Sequence, residues 1–312
     1  MSERPTRVAA VDCGTNSIRL LIADVRDGEL AEVDRRMTIV RLGQGVDATG
    51  AFAPEALERV FRAADEYAEV IRSAGATRVR FVATSAARDV SNRDAFLEGI
   101  QARLGTTPDI ITGAEEAHLT FRGATQSLPA PGGGSGLPGP YLVADIGGGS
   151  TELILGDASG VIAAESLDLG SVRLTERHVT TDPTSPAELA AITRDIEALL
   201  DHTTVPIAEA RALVAVAGTA TTVAAVALNL PEYDRAAVHH AQLSADALRE
   251  ATTWLTTTTR ADRAAVRAIH PGRVDVIGAG ATILQHLFDR TPAPTLTISE
   301  HDILDGTALS LA

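Results

Sequence analysis

The chain of 312 residues carries 27 basic side chains, and every one of them is arginine; there is no lysine. That absence excludes amine nucleophiles, a pyridoxal Schiff base and a Walker A loop, each of which needs a lysine. A single cysteine, Cys13, excludes internal disulfides and cysteine-based zinc sites and fits a reducing compartment. Aromatic residues make up only 3% of the chain, too few for a stacking platform for single-stranded nucleic acid. No apolar run approaches the ~20 residues of a membrane span, and the N-terminus has no sustained apolar stretch of the signal-peptide kind. Cations are in deficit too: 41 acids against 27 arginines leave a net charge of −14, the wrong sign for coating a nucleic acid. The expectation is a soluble, cytoplasmic protein with no nucleic-acid or membrane partner. Neither HExxH nor GxSxG occurs, so neither metalloprotease zinc nor a serine-hydrolase elbow is expected.

What is present begins with a repeat. Residues 7–25, RVAAVDCGTNSIRLLIADV, read as an apolar run, a glycine-containing turn and a second apolar run, a hairpin signal. Residues 141–156, YLVADIGGGSTELILG, repeat the plan 133 residues later. In both, an aspartate ends the first run (Asp12, Asp145), a glycine follows two residues on (Gly14, Gly147), and a serine stands at +5 (Ser17, Ser150). At +7 the two differ in sign: Arg19 in one, Glu152 in the other. Between the hairpins the pattern predicts helices over 54–74, 92–104 and 114–127 and strands over 78–84 and 108–112. Beyond them it predicts strands at 150–156, 159–168 and 213–218 and helices at 186–200, 244–258 and 302–311. Strands first and helices after, twice, indicate a mixed-sheet α/β domain used twice. The low-complexity stretch 129–140, PAPGGGSGLPGP, reads as a linker between domains at 1–128 and 141–299, with a C-terminal helix at about 300–312 packing back on the first.

The turns carry the chemistry. A phosphate needs many short-range donors, and main-chain N–H groups supply them where glycine allows close approach. Gly14, Thr15, Asn16 and Ser17 form one such set, and Gly147, Gly148, Gly149, Ser150 and Thr151 the other. Asp12 and Asp145, at the strand ends beside them, suit a hard cation such as Mg²⁺ held partly through water. In TGAEEAHL, one of Glu115 and Glu116 can orient and deprotonate a water for attack on phosphorus. Arg19, Arg41, Arg88, Arg93, Arg173 and Arg273 lie in or beside the small-residue segments and are the candidate anion clamps.

DCGTNSIRL, RLGQGV at 41–46, ATSAARDVSNRDAF at 83–96, ITGAEEAHLTFRG at 111–123 and DIGGGSTEL together resemble the exopolyphosphatase and guanosine pentaphosphate phosphohydrolase (Ppx/GppA) family over essentially the whole chain. The resemblance implies two actin-like, ribonuclease H-like domains of the ASKHA superfamily with a cleft between them, and Mg²⁺-dependent hydrolysis of a terminal phosphoanhydride, Mn²⁺ being a candidate substitute. It implies that Glu116 is the general base, that Asp145, Glu152 and Asp12 form the metal side, and that Arg88, the 14–17 turn and Gly147 to Ser150 hold substrate phosphate. Family members are frequently dimers, so a homodimer is among the expectations. Two departures matter: the chain ends at Ala312, without the C-terminal helical domains of long members, and Leu304-Asp305-Gly306 stands where the family often has Arg-Glu-Gly. The first favours short polyphosphate. The leading expectation is an exopolyphosphatase, with pppGpp 5'-phosphohydrolysis the alternative; a superfamily phosphotransferase and a non-catalytic sensor come behind them.

Overall fold

Residues 8 to 11 of the first apolar run are all buried, yet they serve two different cores. Ala9, Val11 and Cys13 pack with Val60, Tyr67, Phe81 and Phe96, while Val8 and Ala10 pack with Leu304, Ala308 and Leu309. Side chains alternate across a strand, so a run covered on both faces reads as continuously apolar. This strand is β1 (Thr6–Cys13) in the computed structural model, which describes residues 5–88, 90–126, 128 and 137–312.

The chain divides into two units: residues Met1–Gly123 with Ile303–Ala312, and Ala124–Asp302. In the first, β1 is followed by β2 (Ser17–Arg26), β3 (Glu29–Ile39), a short α1 (Val46–Thr49), α2 (Pro54–Ala74), β4 (Arg78–Ala83), α3 (Ser85–Arg88), α4 (Arg93–Leu104), β5 (Asp109–Ile110) and α5 (Gly113–Gln126). In the second come β6 (Tyr141–Ile146), β7 (Thr151–Asp157), β8 (Gly160–Leu167), α6 (Ser171–His178), α7 (Pro186–Asp201), β9 (Ala212–Val216), α8 (Ala217–Ala227), α9 (Arg235–Val238), β10 (Gln242–Leu243), α10 (Ala245–Thr257), α11 (Arg260–Ala265), α12 (Ile277–Arg290) and β11 (Leu296–Ile298). The last helix, α13 (Ile303–Leu309), returns to the first unit. Of the 129–140 linker read from composition, 129–136 lie outside the described residues. No helix among the described residues is long and apolar enough to cross a membrane.

The two sheets repeat one topology. The first runs β3-β2-β1-β4-β5; the second contains β8-β7-β6-β9-β11 with β10 added at its edge. In each, the hairpin and third strand are antiparallel and the next two strands join in parallel, while β10 pairs antiparallel with β11. The hairpin repeat in the sequence is therefore a repeat of fold. Helix α2 shows why the periodic segments form helices: Ala56, Val60, Ala63, Ala64, Tyr67 and Ile71 make one buried stripe. Pro54 opens it and Gly75, at φ 69°, closes it in the left-handed conformation that glycine tolerates. Helix α7 begins on a reciprocal capping box between Ser185 and Glu188.

Two of the differences from the sequence reading have a local reason. The strand expected over 213–218 stops at Val216, because Ala217 turns to φ 62° and starts α8. Strand β3 was not expected, since as a sheet edge it exposes Glu29, Ala31, Glu32 and Val33 and lacks the apolar alternation that marks a half-buried strand.

Candidate active site

Both hairpin turns close with the same hydrogen bond: Gly14 N–H donates to Ser17 O, and Gly147 N–H to Ser150 O, each at 3.0 Å. Both are backed by a later segment. Behind the first, Gly43 N–H donates to Thr15 O at 2.8 Å, and the amides of Val40 and Arg41 donate to Asn16 O at 3.0 and 2.9 Å. A side chain at Gly43 would meet Thr15 Cγ2 at 2.3 Å, so only glycine permits that approach. Behind the second lies the start of α6. Ser171 N–H donates to Gly147 O (3.0 Å), and the amides of Val172 and Arg173 donate to Gly148 O (2.9 and 3.1 Å). Arg173 Nε donates to Gly149 O at 2.8 Å. Gly170 is obligatory here, since a Cβ would lie 2.3 Å from Gly148 O. Among the described residues, the amides of Gly148, Gly149 and Ser150 donate to no protein acceptor, which leaves three adjacent donors for an anion.

The aspartates beside these turns sit in opposite electrostatic settings. Asp12 and Arg19 are paired residues on the β1–β2 ladder, and Arg19 Nη2 and Nε reach Asp12 Oδ2 at 2.6 and 3.0 Å. On the β6–β7 ladder the paired residues are Asp145 and Glu152, two carboxylates, exposed by only 6% and 1%. Glu152 Oε1 accepts hydrogen bonds from Ser150 Oγ (2.8 Å) and Ser166 Oγ (2.7 Å). Like charges directly opposite on a ladder repel. A divalent cation offsets that repulsion, and Mg²⁺ characteristically takes one or two protein carboxylates and completes its shell with water and phosphate. No group of three His, Cys, Asp or Glu side chains suited to a metal occurs among the described residues.

The adjacent acids of α5 are separated by the fold. Glu115 is exposed and pairs with Arg80 Nη2 at 2.5 Å. Glu116 is 5% exposed, and its Oε2 accepts a short hydrogen bond from Arg88 Nη2, while Arg88 Nε donates to Ile111 O at 3.1 Å. Thr112 Oγ1 accepts from Glu115 N–H at 3.2 Å and helps fix the start of the helix. Burial pushes the Cys13 thiol well above its ordinary range, and the neighbouring Asp12 adds to this.

The structure thus places Asp12, Gly14 to Ser17, Arg88 and Glu116 in the first unit, and Asp145, Gly147 to Ser150 and Glu152 in the second. Of the other candidate clamps, Arg19 is engaged with Asp12 and Arg173 with a turn carbonyl. Arg93 is exposed on α4, and Arg273 lies over Gly218, where a Cβ would come within 1.3 Å of its Nη1. Sequence reasoning missed Gly43, Ser166, Gly170 and Ser171, whose only local signal is that they are small.

The profile of the Ppx/GppA phosphatase family matches residues 21–312. The chain belongs to that family. Exopolyphosphatase 2 of Mycobacterium tuberculosis is 50% identical over 322 residues, covering 98% of this chain and 99% of the relative. A guanosine-5'-triphosphate,3'-diphosphate pyrophosphatase of Vibrio atlanticus is 35% identical over 174 residues, 56% of this chain and 34% of that protein. Among solved structures, an exopolyphosphatase-like protein superposes with a TM-score of 0.94 at 41% identity, covering 99% of this chain and 98% of the other. As a Ppx/GppA member the protein is a hydrolase of phosphoanhydrides, and its two mixed-sheet units are the actin-like domains of that fold.

Proposed function

We propose that the protein is an Mg²⁺-dependent exopolyphosphatase that hydrolyses the terminal phosphoanhydride of inorganic polyphosphate and releases orthophosphate. The observation that carries the reading is the buried Asp145–Glu152 pair beside the unengaged amides of Gly148, Gly149 and Ser150. Mg²⁺ held by Asp145 and Glu152 would neutralise charge on phosphate oxygens. Asp12 contributes to this side through its pair with Arg19, which already supplies it with a positive charge.

The terminal phosphate accepts hydrogen bonds from the amides of the second turn. Arg88 is paired with Glu116 before substrate arrives. A polyphosphate oxygen competes for the guanidinium fork, and the exchange releases the Glu116 carboxylate to accept a proton from water. The water oxygen forms the new bond to the terminal phosphorus as the bridging P–O bond breaks, and the shortened chain leaves with the bridging oxygen. A phosphoanhydride has a good leaving group, so placing the water and stabilising charge account for most of the catalysis.

The test is Glu116→Gln, assayed with tripolyphosphate and Mg²⁺. The expected outcome is retained substrate binding with a rate lowered at least ~100-fold, the scale of a lost general base; a rate near wild type removes Glu116 from the role. Tripolyphosphate and long polymer measured side by side test the expected preference for short chains.

The second reading is pppGpp hydrolysis, favoured by the Vibrio atlanticus relative named for that substrate. The bond broken is of the same type, so the same residues serve. Phosphate release from tripolyphosphate and from pppGpp at matched Mg²⁺ decides between them. The Mycobacterium tuberculosis relative, matching across nearly the whole of both chains, weights the choice towards polyphosphate.

A further inference from the structure

A trans peptide is planar, with its C=O and N–H pointing in opposite directions, so holding one end aims the other. In the second turn the three carbonyls that matter are all held. Gly147 O receives Ser171 N–H and Ser171 Oγ, at 3.0 and 3.2 Å, which turns the Gly148 N–H away from α6. Gly148 O receives the amides of Val172 and Arg173, which turns away the Gly149 N–H. Gly149 O is held by a side chain, Arg173 Nε at 2.8 Å, and this peptide carries the Ser150 N–H.

We propose that Arg173 is a positioning residue for catalysis: its guanidinium fixes the Gly149–Ser150 peptide so that the Ser150 amide is aimed, and polarised, towards the terminal phosphate. The proposal rests on the reading of this turn as the phosphate cradle. Arg173 is unlike its neighbours because it holds two consecutive peptides, one through its backbone and one through its side chain. Its Nη2 lies 3.2 Å from Asp168 Oδ1, which braces the guanidinium from the solvent side. A charged donor on the carbonyl draws electron density from the peptide and strengthens the N–H at its other end. Sequence reasoning placed Arg173 among the anion clamps; the structure turns it to the back of the cradle, where its effect on phosphate passes through a peptide bond.

The experiment compares Arg173→Ala and Arg173→Lys with wild type in three measurements: kcat and KM for tripolyphosphate with saturating Mg²⁺, the midpoint of thermal unfolding, and the shift of the Ser150 amide in ¹⁵N-serine-labelled protein titrated with orthophosphate. Deleting one preorganised donor to a developing anion costs about 100- to 1000-fold in kcat, so misaiming one is expected to cost roughly 10- to 100-fold. Arg173→Ala should show that loss with a smaller change in KM, a displaced Ser150 amide signal and a weakened response to orthophosphate. Arg173→Lys, which retains a cationic donor, should recover part of kcat. Wild-type kcat in Arg173→Ala, or a loss explained by unfolded protein with Lys no better than Ala, overturns the proposal. If the wild type releases phosphate and its Ser150 amide responds to orthophosphate while Arg173→Ala behaves identically, the positioning role alone fails. If the wild type shows neither phosphate release nor an amide response, the cradle reading fails and the proposal with it.

Discussion

Asp145 and Glu152 face each other across the β6–β7 ladder at the place where, in the first unit, Asp12 faces Arg19. One hairpin thus neutralises its aspartate with a built-in cation, and the repeat of that hairpin sets two buried carboxylates together. The difference of one side chain, arginine or glutamate seven residues after the aspartate, sets an aspartate beside an arginine in one copy and two carboxylates side by side in the other.

Mg²⁺ should therefore act on stability as well as on rate. Millimolar Mg²⁺ should raise the unfolding temperature of the wild type, by the linkage of ligand to the native state. Glu152→Gln should abolish most of that shift and lower kcat at least tenfold, while its metal-free unfolding temperature stays at or above that of the wild type, since one of two repelling charges has gone. Calorimetry with and without Mg²⁺ reads both effects; an undiminished Mg²⁺ shift in Glu152→Gln would place the ion elsewhere.

Removing the built-in cation has the opposite consequence. Arg19→Ala leaves the Asp12 carboxylate, whose side chain is only 5% exposed, without the arginine. Breaking such a pair costs about 3 kcal/mol. The double variant Asp12→Asn, Arg19→Ala should recover much of it, because no charge then remains to be solvated. Denaturant titration of both variants measures the difference, and equal losses in the two would argue against an electrostatic origin.

The neighbouring acids of α5 should respond differently to the same change. Glu115→Gln breaks an exposed pair with Arg80, worth at most ~1 kcal/mol, and should leave kcat within about twofold of wild type. A large fall in kcat for Glu115→Gln would transfer the proposed base from Glu116 to its neighbour.

Gly306→Ala is expected to be costly. A Cβ there would lie 1.9 Å from the Leu119 carbonyl oxygen, so α13 and α5 would have to separate. Overpacking of this kind costs about 1–3 kcal/mol. The neighbouring Asp305 is 1% exposed and bound by Arg35 Nη2 at 2.5 Å, so it ties the returning helix to β3. Leu304, Asp305 and Gly306 are thus packing residues of the first unit. Denaturant midpoints for Gly306→Ala and Asp305→Asn check it.

Cys13 sets a pH dependence. Burial, with the negative Asp12 beside it, holds the native thiol well above its ordinary range. The folded state therefore keeps a proton that the unfolded chain gives up, and the associated stability is intact below the unfolded thiol pKa of about 8.5 and declines as pH rises beyond it. Cys13→Ala should flatten that decline, and in native wild-type protein the thiol should resist aromatic disulfide reagents until unfolding. Rapid native labelling at pH 8 would contradict both expectations.

Much of the candidate site's local structure was legible because its signals are local. DCGTNS and DIGGGS announce tight turns at strand ends, and turn chemistry depends on the residues within the turn. Helix α2 was readable between Pro54 and Gly75 because its start, its stripe and its stop lie on one stretch of chain. Strand β3 was not, since an exposed edge needs no apolar alternation. Gly170 and Gly306 matter through a backbone that the fold brings near them and Gly43 through the Thr15 side chain, contacts that the residues around each do not spell out.

The sequence by itself determined the repeated hairpins, the absence of any lysine amine to do chemistry, and the candidate site of glycine turns, carboxylates and arginines. Only the tertiary structure decided which acid of the 115–116 pair is buried against an arginine, which aspartate carries its own cation, and that Arg173 turns to a carbonyl. These choices depend on which side chains meet across a ladder or between helices. Consecutive helical residues point about 100° apart, and packing alone selects the one that faces inward.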